Sequence, residues 1–389
     1  MPAPVIDVSA AEDPRDIVHR AVQSLAEGKL VVFPTETVYV VAAGAQNELA
    51  VQRLAELRKA SSPHPLTMAL RSAVEAMDYV PNMTPLGARL ARRCWPGPVI
   101  LEVPDQHPES VVRRLPPAIH KAFCPQGSLR LRVPAHPLIA AVQKLISGPL
   151  AISAANMLGE PEATTAQQAA QLVGGEVDLI LDDGKSRFGQ SSSVVRVDEQ
   201  GLHLLRGGVI TELNLRRLAS WMVVLVCTGN TCRSPMAEML MRKRLAAKLG
   251  CSLADLEDHG VGVMSAGVAA GPGGRAAAEA IEIMKEHDLD LSLHETQPLT
   301  DRVVRFADLI LTMTRGHRDA VISQWPEAAD RVKLISNERG DVSDPIGGPT
   351  ELYRRCAQQM DEYLADWLEQ LNIEKLPPTG SLETGPHGN

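Results

Sequence analysis

Aromatic side chains are scarce: Phe, Tyr and Trp together make 3% of the 389 residues, too few for an extended platform of rings on which bases stack. Positive charge is not in excess. The 39 basic residues face 47 acidic ones, a formal net charge of −8, so no global field draws the chain to nucleic acid. The six cysteines, at positions 94, 124, 227, 232, 251 and 356, show neither a paired framework nor a metal-ligand spacing. No apolar run approaches the length that spans a bilayer, and no basic-then-apolar leader opens the chain. These absences set three expectations: no membrane partner, reduced thiols and a cytoplasmic location.

What is present is ordinary for a globular protein: 44% hydrophobic and 22% charged residues. The length exceeds what one hydrophobic core usually fills, so two domains are expected. They are placed at 1–216 and 222–375, followed by a Pro, Gly and Ser rich tail, 376–389, expected to be disordered. Residues 211–221 are expected to form a short helix at the junction. No Pro/Gly/Ser linker separates the halves.

The most informative stretch begins at Val223-Val224-Leu225-Val226, a short β-branched run that reads as a buried strand. Cys227-Thr228-Gly229-Asn230-Thr231-Cys232-Arg233 follows, and Ser234-Pro235 then opens a helical pattern. A loop ending at a helix N-terminus aims successive N–H groups at one point, which suits phosphate. Arg233 adds a planar, two-pronged donor. Cys227, at the base of this cradle, is expected to favour its thiolate and to attack phosphorus. Thr228, Gly229, Asn230, Thr231, Cys232 and Ser234 are the expected phosphate-binding positions. Cys124 and Arg130 share the Cys-to-Arg spacing, but no strand precedes them, and Arg130 leads into Leu131-Arg132-Val133, which reads as a strand. That pair is read as coincidence.

The stretch from Val226 to Ser234 closely resembles the low-molecular-weight phosphotyrosine phosphatase family. The resemblance implies no cofactor, a phosphoprotein substrate, and a general acid in a distant Asp-Pro pair. That pair is Asp344-Pro345, within Asp341-Val342-Ser343-Asp344-Pro345; taken alone it reads as a turn. By the same resemblance Ser234 holds the thiolate, and Asn230 adopts a strained conformation braced by Ser265. Cys232 has two readings, a reversible disulfide partner for Cys227 or a packing residue. Tyrosine-directed members place aromatic rings after Asp-Pro, whereas Ile346-Gly347-Gly348 follows here. Members acting on phosphoarginine carry both this Gly-Gly pattern and Thr231, so phosphoarginine is favoured over phosphotyrosine. Arsenate reductases share the loop but need further reactive cysteines past position 300, where only Cys356 is found.

The first half alternates strands with helices, an α/β pattern. Strands are expected at 30–33, 68–70, 99–103, 130–133, 150–153 and 179–181, with helices near 13–27, 47–59, 85–93, 138–146 and 165–172. Gly28 is read as closing the first helix. Pro34-Thr35-Glu36-Thr37-Val38-Tyr39, Trp95-Pro96-Gly97-Pro98, Arg132-Val133-Pro134-Ala135-His136-Pro137, Asn156 with Gly159-Glu160-Pro161, and Leu205-Arg206 together resemble the YrdC-like threonylcarbamoyl-adenylate synthases. The resemblance implies a twisted open α/β sheet with a concave surface. It implies ATP, threonine and bicarbonate as substrates, with Mg beside the ATP. It also implies a role in tRNA modification, with tRNA or double-stranded RNA and tRNA-modification proteins as partners.

Thr35, Arg58, Asn156, Ser192 and Arg206 match the family's binding positions. The chain also departs from the family. Its Lys-x-Arg becomes Arg58-Lys59-Ala60, its Ser-x-Asn becomes Ala154-Ala155-Asn156, and Val40 and Ala42 stand where glycines are expected. Two readings stay open: an active synthase, or a nucleotide- or RNA-binding module that serves the phosphatase. The second half is expected to be a four-stranded parallel sheet flanked by helices.

Overall fold

The computed structural model describes residues 2–57, 65–157 and 159–371. Arg58, Lys59 and Ala60 lie outside the described residues, as does the tail 376–389. The chain forms two compact units that divide between Leu218 and Ala219, and both are mixtures of helix and strand.

In the first unit the described residues contribute ten strands: β1 (Val5–Asp7), β2 (Val31–Phe33), β3 (Val40–Gly44), β4 (Thr67–Ala69), β5 (Val99–Pro104), β6 (Ser128–Arg132), β7 (Leu150–Ala154), β8 (Leu179–Asp182), β9 (Ser193–Asp198) and β10 (Gly201–Arg206). They form one open sheet in the order β1-β8-β2-β3-β7-β4-β6-β5-β9-β10. Pairing is mixed: β1, β8 and β2 run parallel, while β3 and β7 are antiparallel to their neighbours.

The opening helix, Pro14–Ala26, shows why its residues make a helix. Asp13 accepts the Arg15 N–H as N-cap, Pro14 occupies the first turn, and Gly28 takes φ 78 just past the end. Its buried residues Ile17, Val18, Ala21 and Leu25 recur at helical spacing and join the core formed with Val31, Phe33 and Val40.

Strand β3 is absent from the elements expected from the sequence. Val40 and Val41 are the reason it forms: β-branched residues suit a central strand buried on both faces, and β3 lies between β2 and β7. The helix Pro117–Phe123 was also unforeseen. It buries only Ile119 and Phe123, too few positions to show a period.

The second unit carries β11 (Trp221–Cys227), β12 (Val261–Gly267), β13 (Leu309–Thr312) and β14 (Val332–Leu334), all parallel, in the order β12-β11-β13-β14. Alternate residues of β11 face opposite layers. Val223, Leu225 and Cys227 join a core with the helices Arg233–Leu249, Ala278–Glu286 and Thr350–Gln370. Val224 and Val226 join a second core with Val304 and Val321. This period of two is the reason the whole run is apolar.

Two boundaries differ from expectation. Trp221 begins β11 instead of ending the junction helix, which is Glu212–Ala219. The sequence places a helix over 275–286, but Arg275 forms a bridge with Glu295 and the helix begins only at Ala278. The helix Arg315–Gln324 was not expected; it buries only His317 and Val321.

Candidate active site

Cys227 ends β11, and the helix Arg233–Leu249 starts six residues later, so the loop lies at the carboxyl ends of parallel strands, where open sheets bind ligands. Cys227 Sγ lies 2.9 Å from Ser234 Oγ and accepts the Asn230 N–H at 3.3 Å. Asn230 is fully buried and left-handed, with φ 55. Its side-chain nitrogen donates to Ser234 Oγ at 3.0 Å and to Ser265 Oγ at 2.9 Å, while its side-chain oxygen accepts the Gln297 N–H at 2.9 Å. Gly267 ends β12 against this loop. A Cβ there would come within 2.5 Å of the Thr228 carbonyl oxygen, so only glycine lets the backbones approach.

Arg233 is 5% exposed. Its Nη1 donates to the Val342 carbonyl at 3.2 Å, and its Nη2 donates to Asp344 Oδ2. The segment before Asp344 is held in place, because Asp341 accepts the Arg315 N–H at 2.9 Å and the Val342 N–H bonds to Met313 O. Cys227, Thr228, Gly229, Thr231, Cys232, Arg233, Asp344 and Ile346 enclose a cavity of about 180 Å³. The carboxylate and the thiol, over a hundred residues apart in sequence, therefore open onto the same space.

Several supporting residues escaped the sequence reading. Glu238 accepts from Ser265 Oγ at 2.7 Å, and burial pushes its carboxyl above the usual range. His294 Nε2 lies 2.8 Å from the Asn230 carbonyl oxygen. His317 bridges Thr228 Oγ1 at 2.8 Å and Thr314 Oγ1 at 2.9 Å. Burial, helped by the nearby Arg233 charge, pushes His317 below the ordinary histidine value. None of these is near the loop in sequence except Glu238, one helical turn beyond Ser234, where a glutamate reads as a surface residue.

All six cysteines are free thiols. Cys232 Sγ lies 3.7 Å from Tyr353 Oη. Burial pushes the Cys356 thiol up to about 12, so it stays protonated and is a poor second nucleophile. Cys124 caps the helix Pro117–Phe123, and Arg130 Nε donates to Glu102 at 2.8 Å. That pair frames no loop.

In the first unit the binding positions expected from resemblance do not all share one cavity. Thr35 is fully buried, donates to the Val38 carbonyl at 2.6 Å, and lines a cavity of about 350 Å³. Ser192 and Arg206 meet each other: Arg206 Nη2 donates to the Ser192 carbonyl at 3.1 Å. Asn156 Nδ2 donates to the Glu160 carbonyl at 2.8 Å. Asn156, Ser192 and Arg206 are not among the lining residues of the 350 Å³ cavity. Arg58 lies outside the described residues.

Among the described residues one cluster of metal-donor side chains stands out: Asp105, His120 and Cys124. Its nitrogen and sulfur donors do not suit magnesium, which takes oxygen ligands, and Arg113 already pairs with Asp105. The Mg implied by resemblance finds no protein-built site there.

The low molecular weight phosphotyrosine protein phosphatase model matches residues 222–376. The Sua5/YciO/YrdC model, described as telomere recombination, matches residues 23–208. A protein-arginine-phosphatase of Bacillus subtilis is 37% identical over 157 residues, which is 39% of this chain and 98% of the relative. A threonylcarbamoyl-AMP synthase of Pyrococcus abyssi is 35% identical over 183 residues, 47% of this chain and 51% of the relative, so the chain spans about half the length of that protein. A putative threonylcarbamoyl-AMP synthase of Mycobacterium tuberculosis is 31% identical over 194 residues, 49% of this chain and 83% of the relative. Among the described residues no helix is long and apolar enough to cross a membrane. The chain is an enzyme that belongs, through its second unit, to the low molecular weight phosphotyrosine protein phosphatase family and, through its first, to the Sua5/YciO/YrdC family.

Proposed function

We propose that the second unit removes phosphoryl groups from protein arginine side chains by way of a phosphocysteine. The observation that carries this reading is the placement of Cys227 Sγ, the Arg233 guanidinium and the Asp344 carboxylate around one small cavity. Arg233 and the loop N–H groups hold the phosphoryl oxygens. Cys227 Sγ attacks phosphorus, a sulfur–phosphorus bond forms, and the phosphorus–nitrogen bond breaks. Asp344 gives its proton to the departing guanidinium nitrogen. Water then attacks the phosphocysteine, Asp344 takes its proton, the sulfur–phosphorus bond breaks, and phosphate leaves. Ser234 Oγ, 2.9 Å from the sulfur, steadies negative charge there in both steps. No cofactor takes part.

Two features support arginine over tyrosine. The residue at the cavity edge is Ile346, 67% exposed, so no ring is offered to grip a phenyl group. Thr231 lines the cavity with a hydroxyl that can accept an N–H from a guanidinium. Turnover of phosphoarginine and phosphotyrosine peptides by wild type and Cys227→Ser tests the reading. Wild type is expected to favour phosphoarginine and the variant to turn over neither; equal or better turnover of phosphotyrosine rejects the preference.

For the first unit we propose condensation of threonine, bicarbonate and ATP to threonylcarbamoyl-AMP, in the service of tRNA modification. Support comes from the family relationship and from Thr35 in the wall of a ligand-sized cavity. The alternative is a nucleotide- or RNA-binding module that serves the phosphatase, and the departures at Ala60 and Ala154 favour it. Exchange of pyrophosphate into ATP that depends on threonine and bicarbonate separates the two. Its absence in the full chain leaves the binding module.

A further inference from the structure

Between β5 and β6 the chain leaves the sheet over residues 105–127 and returns where the Asp105 N–H donates to the Gly127 carbonyl at 2.9 Å. The excursion carries a 3-10 turn, Val111–Arg114, and the helix Pro117–Phe123. Asp105 stands just past the end of β5, while His120 and Cys124 lie one turn apart along the helix. Their carboxylate oxygen, imidazole nitrogen and sulfur all lie within 4.8 Å of one another. Asp105 and Cys124 are each 6% exposed, whereas the His120 side chain is 33% exposed and gives a path from solvent.

The donor set and its spacing suit zinc. A borderline-soft dication takes carboxylate, imidazole and thiolate together, which magnesium and calcium do not. Tetrahedral zinc holds such donors about 3.3–3.6 Å apart. Asp105 Oδ2 and His120 Nε2 stand at 2.8 Å, so an ion enters between them with shifts on the order of 1 Å. The outer shell is in place. Arg113 Nε donates to Asp105 Oδ1 at 3.2 Å, and Arg113 Nη2 donates to the Asp105 carbonyl, which fixes the carboxylate and leaves Oδ2 turned to the site. Thiolate and carboxylate together cancel the charge of the dication.

Two other readings explain less. An ion-pair brace accounts for Asp105, Arg113 and His120 but leaves Cys124 as packing alone. A nucleophilic thiol needs access, and a sulfur this buried is closed to a peptide or an ester, though not to an ion.

We propose that Asp105 Oδ2, His120 Nε2 and Cys124 Sγ bind one zinc ion, with water in the fourth position beside His120. The thiol proton passes to solvent as the sulfur–zinc bond forms, the imidazole binds as the neutral ring, and no electron is transferred. The ion ties the helix Pro117–Phe123 to the end of β5 and so stabilises the excursion. The site is independent of the activity proposed for either unit.

The test is titration of cobalt(II), a spectroscopic stand-in for zinc, into the full chain carrying Cys227→Ser, which removes the other candidate thiolate. A sulfur-to-cobalt charge-transfer band is expected to saturate at one equivalent and to vanish when zinc is added. Cys124→Ser in that background is expected to abolish the band, and His120→Ala to weaken binding at least a hundredfold. Arg113→Gln, which touches only the outer shell, is expected to cost about tenfold. Cys251→Ser is expected to change nothing. Zinc is expected to raise the melting temperature of the Cys227→Ser chain and not that of the Cys124→Ser variant. Because His120 is part exposed, its variant reads binding even where loss of the buried thiol lowers stability. Absence of the band overturns the proposal, as does a band that survives Cys124→Ser or equal zinc affinity with and without His120.

Discussion

Asn230 donates to Ser265 Oγ over 2.9 Å while holding a backbone φ of 55. One side chain thus ties the Cys227–Arg233 loop to the neighbouring strand and offsets the strain of its own left-handed backbone. A non-glycine residue in that region costs about 1–3 kcal/mol. Asn230→Ala keeps the strain and loses the bonds to Ser234, Ser265 and Gln297, whereas Asn230→Gly loses the bonds but relieves the strain. Denaturant unfolding is expected to show Ala as the less stable variant by about 1 kcal/mol, with kcat reduced in both. Equal stability of the two removes strain from the account.

Asp344 protonates a poor leaving group in the proposed chemistry. Asp344→Asn is expected to lower kcat on a phosphoarginine peptide by roughly 10²–10⁴, the usual range for a general acid. The loss on p-nitrophenyl phosphate is expected to be smaller, because that phenolate leaves readily without a proton. Stopped-flow measurement of the leaving-group burst on each substrate checks this. Equal losses on both would assign Asp344 to positioning Arg233 instead.

His317, buried between Thr228 and Thr314, has its pKa lowered by burial and by Arg233, against the opposing pull of Asp344 and Asp341. The unfolded chain therefore binds a proton here more readily than the folded one. The contribution of this site is fully present above the ordinary value of 6.5 and is lost as the pH falls through the lower folded value. Chemical denaturation of wild type and His317→Asn across that window is expected to give a shallower acid-side loss in the variant. Parallel curves would show that the ring titrates as an ordinary histidine.

Cys227 and Cys356 are predicted to behave oppositely towards iodoacetate. Cys227 lines the 180 Å³ cavity, and on the proposed function its alkylation is expected to be blocked by inorganic phosphate. Cys356, its thiol pushed up to about 12 by burial, is expected to stay unmodified in the native protein. Cys356→Ala is then expected to leave phosphatase turnover within about twofold, since a buried thiol away from the substrate acts chiefly by packing. Mass spectrometry of the alkylated peptides reads both sites.

The second unit was the more legible. A β-branched run, a Gly-Asn turn and a helix start together specify strand, loop and helix within a dozen residues, because the signals are local. Glu238, His294 and His317 were not legible: each acts through a residue distant in sequence, and a lone histidine or a glutamate on a helix has no local pattern. The first unit shows the converse. Thr35 stood out in its motif, but Lys185, Ser186 and Arg187 lie in a loop whose composition reads as a surface turn. Only the folded chain places them in the wall of the 350 Å³ cavity.

From the order of its residues alone, this chain determines two α/β units, the Cys227-to-Arg233 loop and the Asp344-Pro345 pair, because strand period, helix caps and turn residues act between near neighbours. Only the tertiary structure brings Asp344 onto Arg233 and seats Asn230 against Ser265. Those contacts join residues 35 and 111 positions apart, and the parallel sheet that closes the distance is held together by burial rather than by any local signal.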